Sequence, residues 1–216
     1  TLILDDQPGV KTSPLMRPGA AFGTGNLEVD VQRTPAVRGD VGYDNHGNRY
    51  TGEHRLRGNV LIDSPFMLGD QVQISAVTTS ESLWLGSLGY SLPLGGDGWR
   101  ANVGYAHTSY QLGKEFASAQ ASGTAKVTTV GATYPLLRSQ ALNLTLGASL
   151  QHKELQDRQD ANGTRTDKTS DTTPISLQFD RRDALGGGGV SYGTLSLTPG
   201  QLKLGTELKA SDVSSG

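Results

Sequence analysis

The chain contains no cysteine. This excludes disulfides, thiolate metal sites and cysteine nucleophiles, and it suits a compartment where free thiols would be oxidised. Aromatic residues make up only 6% and hydrophobic residues 35% of the sequence. No stretch approaches the roughly 18 to 20 apolar residues that a membrane-spanning helix requires, so a helical membrane protein is excluded. A basic excess is also missing, since the formal net charge is -2. Phosphate binding needs a cationic surface, and a nucleic-acid partner is therefore not expected. The histidines His46, His54, His107 and His152 are scattered without metal-ligand spacing, and no nucleophile and base stand in a recognisable arrangement. His107 and Ser109 share strand parity, as a barrel lipase would need, but one such pair is expected by chance in a serine-rich chain. No cofactor, metal or enzymatic activity is expected.

Glycine, by contrast, is abundant, with 29 residues. Many short strands joined by glycine turns would use this composition, and an all-β fold follows. Period two supports it. Leu142, Leu144, Leu146, Ala148 and Leu150 alternate with Asn143, Thr145, Gly147, Ser149 and Gln151; Val72, Ile74 and Ala76 oppose Gln71, Gln73 and Ser75. The pattern predicts strands at 36–44, 51–63, 70–79, 83–93, 99–112, 123–135, 140–156, 166–181 and 190–199, with a tenth at 201–208. Short turns are expected near Ser64-Pro65, at 94–98, at 137–140 and at 183–189, and longer loops at 45–48, 78–82, 113–123 and 156–170. Tight turns on one side and long loops on the other suit a transmembrane β-barrel, whose average hydropathy can stay low because only alternate residues meet lipid. A soluble sandwich or a lipocalin-like barrel shares the alternation, and strand pattern alone does not choose between them.

Parity places Arg38, Asp40, Arg55, Arg57, Asn59, Gln71, Gln73, Asn102, Asn143, Gln178 and Asp180 on the polar, lumen-facing side. Tyr43, Tyr50, Trp84, Trp99, Tyr110 and Tyr134 fall near predicted strand ends, where an interfacial girdle would lie. Asp180-Arg181-Arg182-Asp183 precedes four glycines. Those glycines lack the lysine and hydroxyl residue of a phosphate loop, and the segment is expected to be a structural clamp at a periplasmic turn. Before Thr34-Pro35 the pattern differs, and proline there suggests a domain boundary. Within this first segment the extended stretch containing Val10, Lys11, Thr12 and Leu15 is a candidate sheet edge to which an unfolded chain can add as a strand.

The connecting segments carry a resemblance. Arg17 to Val31, Gly42 to Gly52, Asp63-Ser-Pro-Phe-Met-Leu-Gly-Asp70, Tyr90 to Leu94, Tyr134-Pro-Leu136 and Asp180 to Gly189 resemble, in order and spacing, the haemolysin secretion/activation family. These are the outer-membrane partners of two-partner secretion systems. The resemblance implies that residues 1–34 are the C-terminal part of a second POTRA domain and that residues 35–216 are the N-terminal part of a sixteen-stranded transmembrane barrel. It also implies a translocator that takes an unfolded secreted exoprotein, a haemolysin, adhesin or toxin, from the periplasm through an outer membrane whose lipid surrounds it. The signal peptide, plug helix, first POTRA domain, later strands and long inward loop would lie outside this sequence. The expected alternatives are a passive porin, a barrel lipase and a soluble β-sandwich binding module.

Overall fold

The computed structural model describes residues 2–183 and 187–205. A single helical turn, α1 (Leu2–Asp5), leads into a hairpin of β1 (Val10–Pro18) and β2 (Gly25–Arg33). There follow β3 (Ala36–Asp44), β4 (Arg55–Asp63), β5 (Gln71–Thr79), β6 (Trp84–Leu94) and β7 (Trp99–Gln111). A short 3-10 segment (Lys114–Ala119) precedes β8 (Ala121–Arg138) and β9 (Leu142–Gln159). The last elements are β10 (Thr164–Thr172), β11 (Ile175–Asp183), β12 (Gly189–Leu197) and β13 (Gly200–Leu204).

From β3 onward these strands form one antiparallel, eleven-stranded sheet in sequence order, a partial barrel. β10 and β11 both lie against β9 in one unbroken register, and β13 with β12 does the same against them. Each pair is thus one pass interrupted at a proline, Pro174 or Pro199, so the eleven strands make nine passes. Proline explains the interruptions: Pro174 O accepts from Ser149 N–H at 3.0 Å and Pro199 O from Thr173 N–H at 2.8 Å, but neither ring has an N–H to return. A tenth pass at 201–208 is therefore not what Gly200–Leu204 forms; residues 206–208 lie outside the described residues, as does part of the expected 183–189 turn. The loop expected at 156–170 is also corrected. Gln156–Gln159 and Thr164–Asp167 pair as a hairpin whose turn is only 160–163. Both strands are polar on both faces there, so the sequence offers no apolar alternation to mark them.

The packing is inverted relative to a soluble protein. Among the described residues no hydrophobic side chain is buried, and the buried side chains are Asp63, Ser64 and Asp70. Val41 is 81% exposed, Leu150 64% and Leu195 73%. Apolar area left in water at about 25 cal/mol per Å² opposes folding, so this face favours an apolar surrounding. No helix among the described residues is long and apolar enough to cross a membrane; the strands supply the apolar surface instead.

Candidate functional site

Two features of the sheet organise the site: a continuous polar face and a buried polar seam at one rim. Residues opposite each other in an antiparallel ladder share a face. The registers carry one face from Arg38 and Asp40 through Arg55, Arg57 and Asn59, to Gln71 and Gln73, then Asn102, Asn143, Gln178 and Asp180. These residues share one face of the sheet by register. Its groups are largely paired with one another. Arg38 Nη2 meets Asp63 Oδ2 at 2.7 Å, and Asn59 Nδ2 donates to both Asp40 oxygens at 3.2 and 3.1 Å. Asp44 receives Arg55 at 2.8 Å, with Arg57 3.9 Å away. Asn143 donates to Asp180 at 2.8 Å while accepting from Arg138 at 2.7 Å. Such pairing leaves the face hydrophilic but without a large field of one sign.

The opposite face bears Val37, Val41, Leu56, Val60, Ile74, Leu88, Val103 and Val130, all exposed. Aromatic rings mark its two ends. Trp99 stacks on Tyr134 with centroids 4.7 Å apart near the short-turn end; at the other end Tyr43 stacks on His54 at 5.9 Å and Trp84 meets His107 at 5.6 Å. Tyr110 does not join this girdle. It pairs with Gly123 on the polar face and donates to Asp157 at 3.0 Å, because its parity is that of Asn102. Tyr50 lies in the loop between β3 and β4, where its carbonyl accepts from Gly113 N–H. Ser109 lies opposite Trp84, on the apolar face with His107. No cluster of three metal-ligating side chains occurs among the described residues.

The seam was not legible from periodicity. The β4–β5 turn, Ser64 to Asp70, folds around its own side chains. Ser64 N–H donates to Asp70 O at 2.7 Å, Gly69 N–H to Ser64 Oγ at 2.9 Å, and Tyr90 Oη to Asp70 Oδ2 at 2.8 Å. Ser64 has a left-handed backbone, φ 50°, as has Gly69 at 81°. The N-terminal hairpin docks on this turn. Arg33 Nε donates to Ser64 O at 2.8 Å, Ser64 Oγ to Pro8 O at 2.7 Å, and Arg100 Nη1 to Gly69 O at 2.9 Å and to Gln7 Oε1. Arg138 Nη2 reaches Asp6 Oδ1 at 2.6 Å. The signal available in the sequence was the motif Asp63–Asp70 itself, whose terminal aspartates and glycine serve this turn.

Val10, Lys11, Thr12 and Leu15 lie on β1, opposite Arg33, Gln32, Val31 and Glu28 of β2. β2 is the one strand paired with β1 among the described residues. Asp180 and Arg182 point to one side of β11 and Arg181 and Asp183 to the other. Gly187 and Gly188 follow with φ of 102° and 106°, a conformation open chiefly to glycine.

Residues 23–211 match the family described as haemolysin secretion/activation protein ShlB/FhaC/HecB. The chain belongs to this family. Heme/hemopexin transporter protein HuxB of Haemophilus influenzae is 27% identical over 161 residues, 74% of this chain and 28% of that protein. Hemolysin transporter protein HpmB of Proteus mirabilis is 24% identical over 145 residues, 65% of this chain and 26% of its own length. The chain thus spans little more than a quarter of these relatives. CdiB from Acinetobacter baumannii shares the fold, with a TM-score of 0.67 at 19% identity over 93% of this chain and 39% of that structure. Membership in the haemolysin secretion/activation family accords with an exposed apolar face and a paired polar one.

Proposed function

We propose that this chain is part of an outer-membrane translocator of two-partner secretion, in which the polar face lines a passage and the apolar face meets lipid. The observation that carries this is the inverted packing: buried Asp63, Ser64 and Asp70, with no buried hydrophobic side chain among the described residues. A membrane barrel satisfies its backbone between strands and reverses the usual side-chain distribution. The names of the relatives, a heme/hemopexin transporter and a hemolysin transporter, support the same reading.

In this reading residues 1–34 end a periplasmic POTRA domain, and β1, through Val10, Lys11, Thr12 and Leu15, is the sheet edge that accepts an unfolded exoprotein by strand addition. Arg38, Asp40, Asn59, Gln71, Gln73, Asn102, Asn143 and Gln178 then offer the passing chain a wet surface of amides and paired charges. Its weak, exchangeable contacts let a polypeptide slide without being held. Asp180 to Asp183 clamp the periplasmic rim. Movement through the passage requires no chemical step.

The test is the amount of the cognate large exoprotein in the medium of cells with and without the complete gene that encodes this chain. Loss from the medium with retention in the periplasm is the expected result. Unchanged secretion would overturn the proposal and favour a passive porin.

A further inference from the structure

We infer that the β4–β5 turn is a rigid joint that holds the N-terminal hairpin in one orientation beneath the barrel, with Arg33, Ser64, Asp70 and Arg100 as positioning residues for export. The inference rests on the translocator reading but concerns how its two parts are joined.

The covalent link between β2 and β3 is only Thr34-Pro35, and a link of that kind alone would leave the hairpin free to swing. The non-covalent ties remove that freedom. They reach the hairpin segment from three separate places on the barrel: the β4–β5 turn through Ser64, the start of β7 through Arg100, and the end of β8 through Arg138. The ties fall on Asp6, Gln7 and Pro8 ahead of β1 and on Arg33 at the end of β2, so both ends of the hairpin are fixed to the barrel. The link itself is stiffened, since Thr34 N–H donates to Gly9 O at 2.8 Å and carries the β1–β2 ladder one rung further.

The contact is also too close to permit sliding. A Cβ at Gly9, whose φ is 64°, would lie 2.8 Å from Ser64 Oγ; one at Gly69 would lie 3.1 Å from Gln7 Cβ. Asp70 acts through the turn rather than on the hairpin. Fully buried, it takes Tyr90 Oη and the Phe66 N–H, and so sets the loop that presents Ser64 O and Gly69 O to the two arginines. The joint continues into the polar face without a break: Asp63, next to Ser64, binds Arg38 at 2.7 Å and accepts from Gln71 at 2.7 Å. The edge of β1 is thereby kept in register with the first rung of the face that would line the passage.

The experiment uses the complete transporter in its native outer membrane. Replacing Arg33→Ala together with Arg100→Ala is expected to leave heat-modifiable barrel in the membrane, to lower export at least ten-fold, and to speed protease cleavage near Thr34-Pro35 at least ten-fold. The cleavage readout does not depend on export, so it separates failure of the joint from failure of the translocator reading. The variant Asp6→Cys/Arg138→Cys, in a transporter from which any other cysteine has been removed, loses one tie; a short thiol cross-linker between the two positions is expected to restore export. If cross-linking lowers export further, the joint must open during transport and the inference is overturned. Equal cleavage rates in the double-alanine variant and the wild type would overturn it too. If that variant does not reach the membrane, Arg138→Ala, whose partner Asp6 is largely exposed, carries the same cleavage test.

Discussion

The lower and upper halves of β8 and β9 belong to the same strands yet follow different rules. Each strand has 18 residues, while a tilted bilayer-spanning strand needs about 9 to 11. In the half nearer the short turns, the side opposite the polar face carries Val130, Ala132, Tyr134, Leu144, Leu146, Ala148 and Leu150. Beyond Leu150 the same side carries His152, Glu154, Gln156 and Arg158, paired with Thr128, Lys126, Thr124 and Ser122. The outward charges find partners within the sheet: His152 Nδ1 lies 2.6 Å from Asp171, and Gln156 donates to Asp167 at 2.9 Å. Parity, register and backbone bonding do not change across the boundary; only the residue type does. In the translocator reading, the switch between Leu150 and His152 marks where the surrounding solvent changes from hydrocarbon to water.

The largest effect is expected where charge is placed in the middle of the apolar band. Leu88→Arg should destabilise the folded barrel by about 2–4 kcal/mol, seen as a lowered urea midpoint in lipid vesicles. An unchanged midpoint would break the contrast between the two halves. Asp70→Ala should cost about 1–3 kcal/mol, because Tyr90 Oη and Phe66 N–H lose a buried acceptor; thermal unfolding in detergent measures it. Trp99→Ala removes the stack on Tyr134 and, beyond the lost area, about 0.5–1.5 kcal/mol of ring interaction, measurable by a double-mutant cycle with Tyr134→Ala. Glu154→Arg, on the projecting half, should change stability by no more than about 0.5 kcal/mol. A loss there as large as that of Leu88→Arg would place the upper half in lipid as well.

Much of this organisation is legible in the sequence, for a physical reason. Leu142 to Gln151 and Gln71 to Ala76 alternate strictly, and parity assigns faces without knowledge of the partner strands. Gln73 and Asn102 could thus be placed on one face although they lie on different strands. The same rule failed where both faces are polar, as in the hairpin of Gln156 and Asp167. It also could not locate the interruptions at Pro174 and Pro199, since a proline within a strand pattern does not say whether the register survives it. The girdle assignment of Tyr110 failed because it used strand-end position without parity. The seam lay beyond reach of local pattern: Gln7 meets Arg100 and Asp6 meets Arg138 only once the sheet has curled. Its one local trace was the Asp63–Asp70 motif.

The central claim is that the two faces of this sheet meet different solvents. Single cysteines placed at Leu88 and at Gln73 in the complete protein, spin-labelled in lipid vesicles, test it most directly through collision with oxygen and with an aqueous nickel chelate. The account predicts that the label at position 88 collides mainly with oxygen and the label at position 73 mainly with nickel. Equal nickel accessibility at both positions, or the reverse preference, would contradict it.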